Sequence, residues 1–186
     1  MTLYSERYRI ESRRLKGHHY AAPGEYFVTI CTKSMVELFG QVMNAVMSRN
    51  EMGEIAHQMW VEIPKHHTNV KLDEFIVMPN HVHGIIVLRA GSDVACNVTD
   101  ISTRNPSSFM SQISPKRGSL GTIIRSYKSA VTNWCHMHDH DDVLWQPRFH
   151  DHIIRNKKEL NAIRAYIRNN PANWQKDNNH LTEVRF

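Results

Sequence analysis

At 186 residues, with 41% hydrophobic and 22% charged residues, the chain has the size and balance of one soluble globular domain with a sizeable core. A net charge of +5 and a pI near 9.2 suit a polyanionic partner. Cys31, Cys96 and Cys135 are odd in number and widely spaced, which argues against a disulfide framework or a zinc ribbon and suits a reducing compartment. No apolar run approaches a membrane span, and no secretory h-region accompanies Glu6, Arg7 and Arg9, so a cytoplasmic protein with no membrane partner is expected.

In chain order, Arg13-Arg14-Leu15-Lys16-Gly17 forms a basic arm before a central strand at Tyr26–Cys31, which is rich in β-formers. Gln41-Val42 and Val46-Met47 flank Met43-Asn44-Ala45 as a small hairpin. A helix is expected from an Asn50 cap to about Ile63, stopping before Pro64, with Ile55, Met59 and Ile63 facing the core. Leu72–Met78 and His81–Leu88 read as two strands joined by a tight Pro79-Asn80 turn. That turn brings His81 to the start of its strand, near the sheet edge where a substrate can approach.

Residues 89–118 lack periodicity and hold Asp93, Asn97, Asn105, Pro106 and Pro115; they are expected to form a mobile insert within a single domain spanning 1–186. Ser119 then caps a helix through Ile123, Ile124, Tyr127, Val131 and Trp134. Arg125 and Lys128 lie off its apolar stripe, either as phosphate contacts or as a solvated face. The run His136-Met137-His138-Asp139-His140-Asp141-Asp142 reads as an exposed loop with at most adventitious metal binding. A last strand at about Phe149–Ile154 puts His150 and His152 on one face. Asn156 and Glu159 resemble a capping box for a helix with Leu160, Ile163 and Ile167 on one stripe, ending near Asn170 because of Pro171.

Strand side chains alternate, so in His81-Val82-His83 both imidazoles point one way, which makes half of a metal site. A chain with 13 histidines also produces such a pair by chance, so further ligands decide the matter. Tyr166 and Asn170, four apart on one helix, share a face. They suit a nucleophile beside a metal-binding oxygen, but taken alone they read as an ordinary half-buried Tyr and an Asn near the helix end.

Four blocks occur in order: Phe75-Ile76-Val77-Met78-Pro79-Asn80-His81-Val82-His83-Gly84, Leu144-Trp145-Gln146-Pro147-Arg148-Phe149, Asp151-His152-Ile153-Ile154-Arg155-Asn156 and Tyr166-Ile167-Arg168-Asn169-Asn170-Pro171. Together they resemble the single-tyrosine HUH transposases, and most of all the REP-associated tyrosine transposases. The resemblance implies an α+β fold with a ferredoxin-like antiparallel sheet, the HUH strand at its centre and the Tyr166 helix beside it. It implies that His81, His83 and Asn170 bind a divalent metal, Mg²⁺ or Mn²⁺, and that Tyr166 attacks DNA to give a 5′-phosphotyrosine link. The substrate implied is single-stranded, hairpin-forming, repeat-derived DNA. Its backbone would be held by the basic arm (Arg13, Arg14 and Lys16) and by Arg125, Lys128 and Arg148. The short tail beyond Trp174 favours a monomer over a homodimer. Two alternatives stay open: an HUH nickase of the relaxase or replication-initiation type, and a DNA-binding transposase relic without catalysis.

Overall fold

The computed structural model describes residues 20–90, 118–140 and 145–177, together with a short ribbon pairing Leu3–Tyr4 with Arg7–Tyr8. Arg13, Arg14 and Lys16, and the expected insert apart from 89–90 and 118, lie outside the described residues. Among the described residues no helix is long and apolar enough to cross a membrane.

The β-forming run Gly24–Cys31 (β1) pairs antiparallel on both sides, with His81–Leu88 (β5) on one and His150–Ile154 (β6) on the other. Val70–Met78 (β4) adds to the far side of β5, so the sheet order is β4-β5-β1-β6. Both β1 and β5 are interior strands, so His81 stands at the start of its strand but not at a lateral edge of the sheet. Gly40–Met43 (β2) and Val46–Arg49 (β3) form a separate hairpin. Its turn is two residues long, with Asn44 and Ala45 at φ of 51° and 61°, the twist that matches paired strands.

Glu51–Val61 (α1) begins at Asn50, whose side chain accepts from Gly53 N–H at 2.9 Å. Its buried face is Gly53, Ala56 and Trp60, while Ile55 and Met59 are only half-buried. Pro64 does not end the helical path. It falls in the first turn of a short helix, Ile63–His66 (α2), where a missing N–H loses no bond. Leu120–Met137 (α3) starts from the expected Ser119 cap and buries Leu120, Ile123, Ile124, Tyr127, Val131 and Cys135. With α1 and α3 as crossovers, the four sheet strands follow the β-α-β-β-α-β order of ferredoxin-like folds.

Alternation along the strands divides the core in two. Tyr26, Val28, Ile30, Val82 and Ile86 face α1 and α3, packing with Trp60, Ile123 and Val131. Phe27 and Ile85 face the other way, where Lys157–Asp177 (α4) buries Leu160, Ile163 and Ile167. The expected end of α4 at Asn170 is not observed, because Pro171 lies inside the helix. Proline removes the bond to the carbonyl four residues back, a local penalty of about 3 kcal/mol. Continuing the helix carries Trp174 into the interior, at 9% exposure, and this burial offsets the lost bond.

Candidate active site

Val82, Ile85, Ile86 and Val87 hold β5 extended, and its alternation turns His81 and His83 to the α4 face. The turn before them is firmly pinned. The Pro79 carbonyl accepts from Leu38 and Phe39 N–H at 2.8 and 3.0 Å, and the Asn80 carbonyl accepts from Thr32 N–H at 2.9 Å and the Thr32 hydroxyl at 3.0 Å. Asn80 Nδ2 donates to the Met35 carbonyl at 3.2 Å, which leaves Oδ1 facing His81 Nδ1 at 2.7 Å. That contact puts the proton of a neutral His81 on Nδ1 and the lone pair on Nε2. On the neighbouring strand Thr29, directly opposite His83, brings Oγ1 to 2.8 Å from its Nδ1. Each ring is thus held by Nδ1, the arrangement in which histidine presents Nε2 to a metal. Thr29 escaped the sequence reading, because its role depends on a cross-strand register that no local pattern encodes.

His81 and His83 are 1% and 0% exposed, with ring centroids 4.3 Å apart. Burial pushes the His81 imidazole down to about 3, with the Asn170 side chain acting in the opposite direction. Burial, and then the neighbouring His81, hold His83 well below the ordinary histidine range. Both rings are neutral at physiological pH, as metal ligation requires. His81 Nε2 is buried and makes no hydrogen bond of good geometry among the described residues. Among these residues no group of three or more His, Cys, Asp and Glu side chains is gathered for a metal. Two imidazole nitrogens and the amide oxygen of Asn170 are the groups that could hold a metal here, a set that fits a hard-to-borderline divalent cation.

The tyrosine arrives on α4. Glu159 N–H donates to Asn156 Oδ1 at 2.9 Å, as a capping box requires, but the Glu159 carboxylate accepts from Arg155 N–H at 2.7 Å and lies 2.6 Å from His152 Nε2. Leu160, Ile163 and Ile167 seat the helix against Phe27 and Ile85. The half-buried Tyr166 hydroxyl lies 3.3 Å from His83 Nε2, and Phe27 packs edge-on to the phenol with centroids 6.1 Å apart. Trp174, beyond Pro171, lies 6.0 Å from the His81 ring. A second attachment comes from a register shift in β4 between Leu72 and Phe75. Arg164 there grips Asp73 with Nε and Nη2 at 2.8 and 2.6 Å, and one turn on Arg168 reaches Glu74 at 3.5 Å. The Arg164 hydrogen bond, more than any other effect, holds the Asp73 carboxyl below its usual range. Adjacent acids inside an apolar strand, with arginines four apart on a helix, were the available signal for this clamp.

The structure therefore brings His81, His83, Tyr166 and Asn170 together. Arg125 is exposed on α3, across the sheet from them, and Lys128, also on α3, is half-buried. Arg148 is exposed on the segment before β6. His138 and His140 stack on Trp134 at the end of α3, with centroids 4.0 and 6.2 Å apart, away from the histidine strand. His152 lies on the α4 face but is engaged with Glu159 rather than the paired histidines.

The fold is shared with a solved REP-associated tyrosine transposase bound to a REP hairpin. The two share a TM-score of 0.57 and 22% identity over 89% of this chain and 74% of that one. By sequence, the chain belongs to one family with an uncharacterized protein of Haemophilus influenzae, 37% identical over 169 residues that cover 89% of this chain and 90% of the relative. No protein-family model matches the chain.

Proposed function

We propose that this protein cleaves and rejoins single-stranded, hairpin-forming DNA, with Tyr166 as the nucleophile. The observation that carries this reading is the Tyr166 hydroxyl 3.3 Å from His83 Nε2, on a helix that one turn later brings Asn170 against His81. The four ordered motif blocks support it, as does the shared fold with a transposase bound to a REP hairpin.

A free phenol has a pKa near 10 and is a weak nucleophile at neutral pH without help. A divalent cation, Mg²⁺ or Mn²⁺, held by His81, His83 and Asn170 would supply Lewis-acid polarisation of the scissile phosphate. Thr29 and Asn80 orient the imidazoles through Nδ1, Phe27 fixes the phenol laterally, and α4 delivers Tyr166 and Asn170 as one rigid unit. Attack of the Tyr166 oxygen on phosphorus, with loss of the phenolic proton to solvent, breaks the bond to the 3′ oxygen, which takes up a proton, leaving a 5′-phosphotyrosine link and a 3′-hydroxyl. The link retains the phosphoester energy, so the strand can be rejoined without ATP. In this reading the histidines and the tyrosine of one chain act together, and the protein works as a monomer.

Labelled single-stranded hairpins incubated with Mn²⁺ should give a covalent protein–DNA adduct on a denaturing gel. Tyr166→Phe removes only a hydroxyl; it should abolish the adduct and keep hairpin binding within a few-fold of wild type. An adduct formed by the Phe variant would show that another residue is the nucleophile. Hairpin binding without cleavage by the wild type would leave a DNA-binding relic.

A further inference from the structure

Lys128 has partners of its own within the fold. Its Nζ donates to the Gln146 carbonyl at 2.8 Å and to the Arg148 carbonyl, and lies 5.9 Å from the centroid of the Trp145 ring. Trp145 answers by donating Nε1–H to the Lys128 carbonyl at 3.3 Å, with its ring packed on Phe39 and Tyr127. Gln146 N–H donates to the Cys31 carbonyl at 2.9 Å, and Trp145 bridges to Thr32. The segment is thereby fastened to the end of β1, where Cys31 stands opposite His81. A half-buried ammonium needs such carbonyls, and burial still pushes Lys128 down to about 8.

The fastened segment then turns sharply. Arg148 has φ of 72°, a left-handed conformation that long side chains rarely adopt, and its side chain is exposed. Two residues later His150 stands opposite Thr29, which on its other side stands opposite His83. Two strand spacings put that row within about 10 Å of the paired histidines.

We infer that Lys128 is a positioning residue for DNA binding: by holding the Gln146 and Arg148 carbonyls it fixes the left-handed turn that presents the Arg148 guanidinium to a backbone phosphate of the strand entering the histidine site. A pre-set turn leaves less ordering to be done on binding, and a phosphate contact sets the strand's register without reading its sequence. The inference rests on the single-stranded DNA reading given above.

The test is fluorescence anisotropy of a labelled hairpin with unpaired flanks, titrated with wild type, Arg148→Gly, Lys128→Met and the double variant at several salt concentrations. Glycine accepts positive φ freely, so Arg148→Gly is compatible with the turn's backbone while it removes the guanidinium. It should weaken binding about tenfold and lower the salt slope by about 1. Lys128→Met should weaken binding to a similar degree, Lys128→Arg should recover part, and the double variant should be no weaker than Arg148→Gly alone. If Lys128→Met does not fold, Lys128→Gln takes its place. Losses that multiply in the double variant would mean that Lys128 meets DNA directly and would overturn the positioning role. Unchanged affinity and salt slope for Arg148→Gly would overturn the contact while leaving the DNA reading intact. Failure of the wild type to bind any hairpin would remove both.

Discussion

Gly84 shows how one missing methyl shapes both layers of this protein. A Cβ at this position would come within 2.2 Å of Trp60 Cζ2, and Trp60 is fully buried. The glycine that follows the histidine pair therefore serves the opposite face of the sheet, leaving room for the indole against the strand that carries the site. Gly84→Ala should destabilise the fold by about 1–3 kcal/mol through overpacking, measured by denaturant unfolding, and a smaller residue at Trp60 should recover part of the loss. Asn170 belongs to the same scale. It lies inside α4 and is 1% exposed, so it is not a terminal cap. Asn170→Ala should raise the Mn²⁺ concentration needed for half-maximal cleavage, with excess metal recovering part of the activity. A metal titration superimposable on wild type would remove Asn170 from the ligand set.

Among the elements, α4 matters most, because its angle decides where the phenol sits. Its apolar stripe fixes the distance from the sheet, and the Asp73–Arg164 grip fixes its position along β4. Misplacement of a reacting group by about 1 Å can lower a rate by up to about 100-fold. Asp73→Asn should therefore slow cleavage between about tenfold and about 100-fold at nearly unchanged hairpin affinity, with Asp73→Glu intermediate. The pair also has a pH signature. Because Arg164 depresses the folded-state pKa of Asp73, its stabilisation is present above the unfolded carboxylate value and is lost as pH falls through the lower folded value. Thermal melts carried from about pH 6 to about pH 3 should fall more steeply for wild type than for Asp73→Asn. Parallel curves would show that the grip adds nothing to stability.

At the scale of the whole molecule, the sheet separates two layers with different work. α1 and α3 with Trp60 and Tyr127 make the larger core, whereas the α4 layer is smaller and has polar side chains of the site set into it. The histidines most conspicuous in the sequence, His136, His138 and His140, belong with α3 and its end and not with the α4 layer. Alanine at all three should leave cleavage nearly unchanged. His81→Ala or His83→Ala should each abolish it, and EDTA should silence the wild type until Mn²⁺ or Mg²⁺ is returned. An inactive triple variant beside an active His81→Ala would place the metal in the other cluster.

What the sequence by itself determined is what local rules govern. Two-residue alternation put His81 and His83 on one face, the four-residue helical turn put Asn170 beside Tyr166, and Asn50, Ser119 and Asn156 marked helix starts through short-range side-chain bonds. Tertiary structure decided whatever depends on residues distant in sequence. Thr29 reaches His83 across 54 positions and Arg164 reaches Asp73 across 91, and neither is implied by its own neighbourhood. Pro171 is the clearest case of conflict. Its local preference ends the helix, yet Trp174 packs beside the His81 ring only if the helix goes on. Burial at that place outweighs one lost hydrogen bond, and a chain read residue by residue carries no record of what will be packed there.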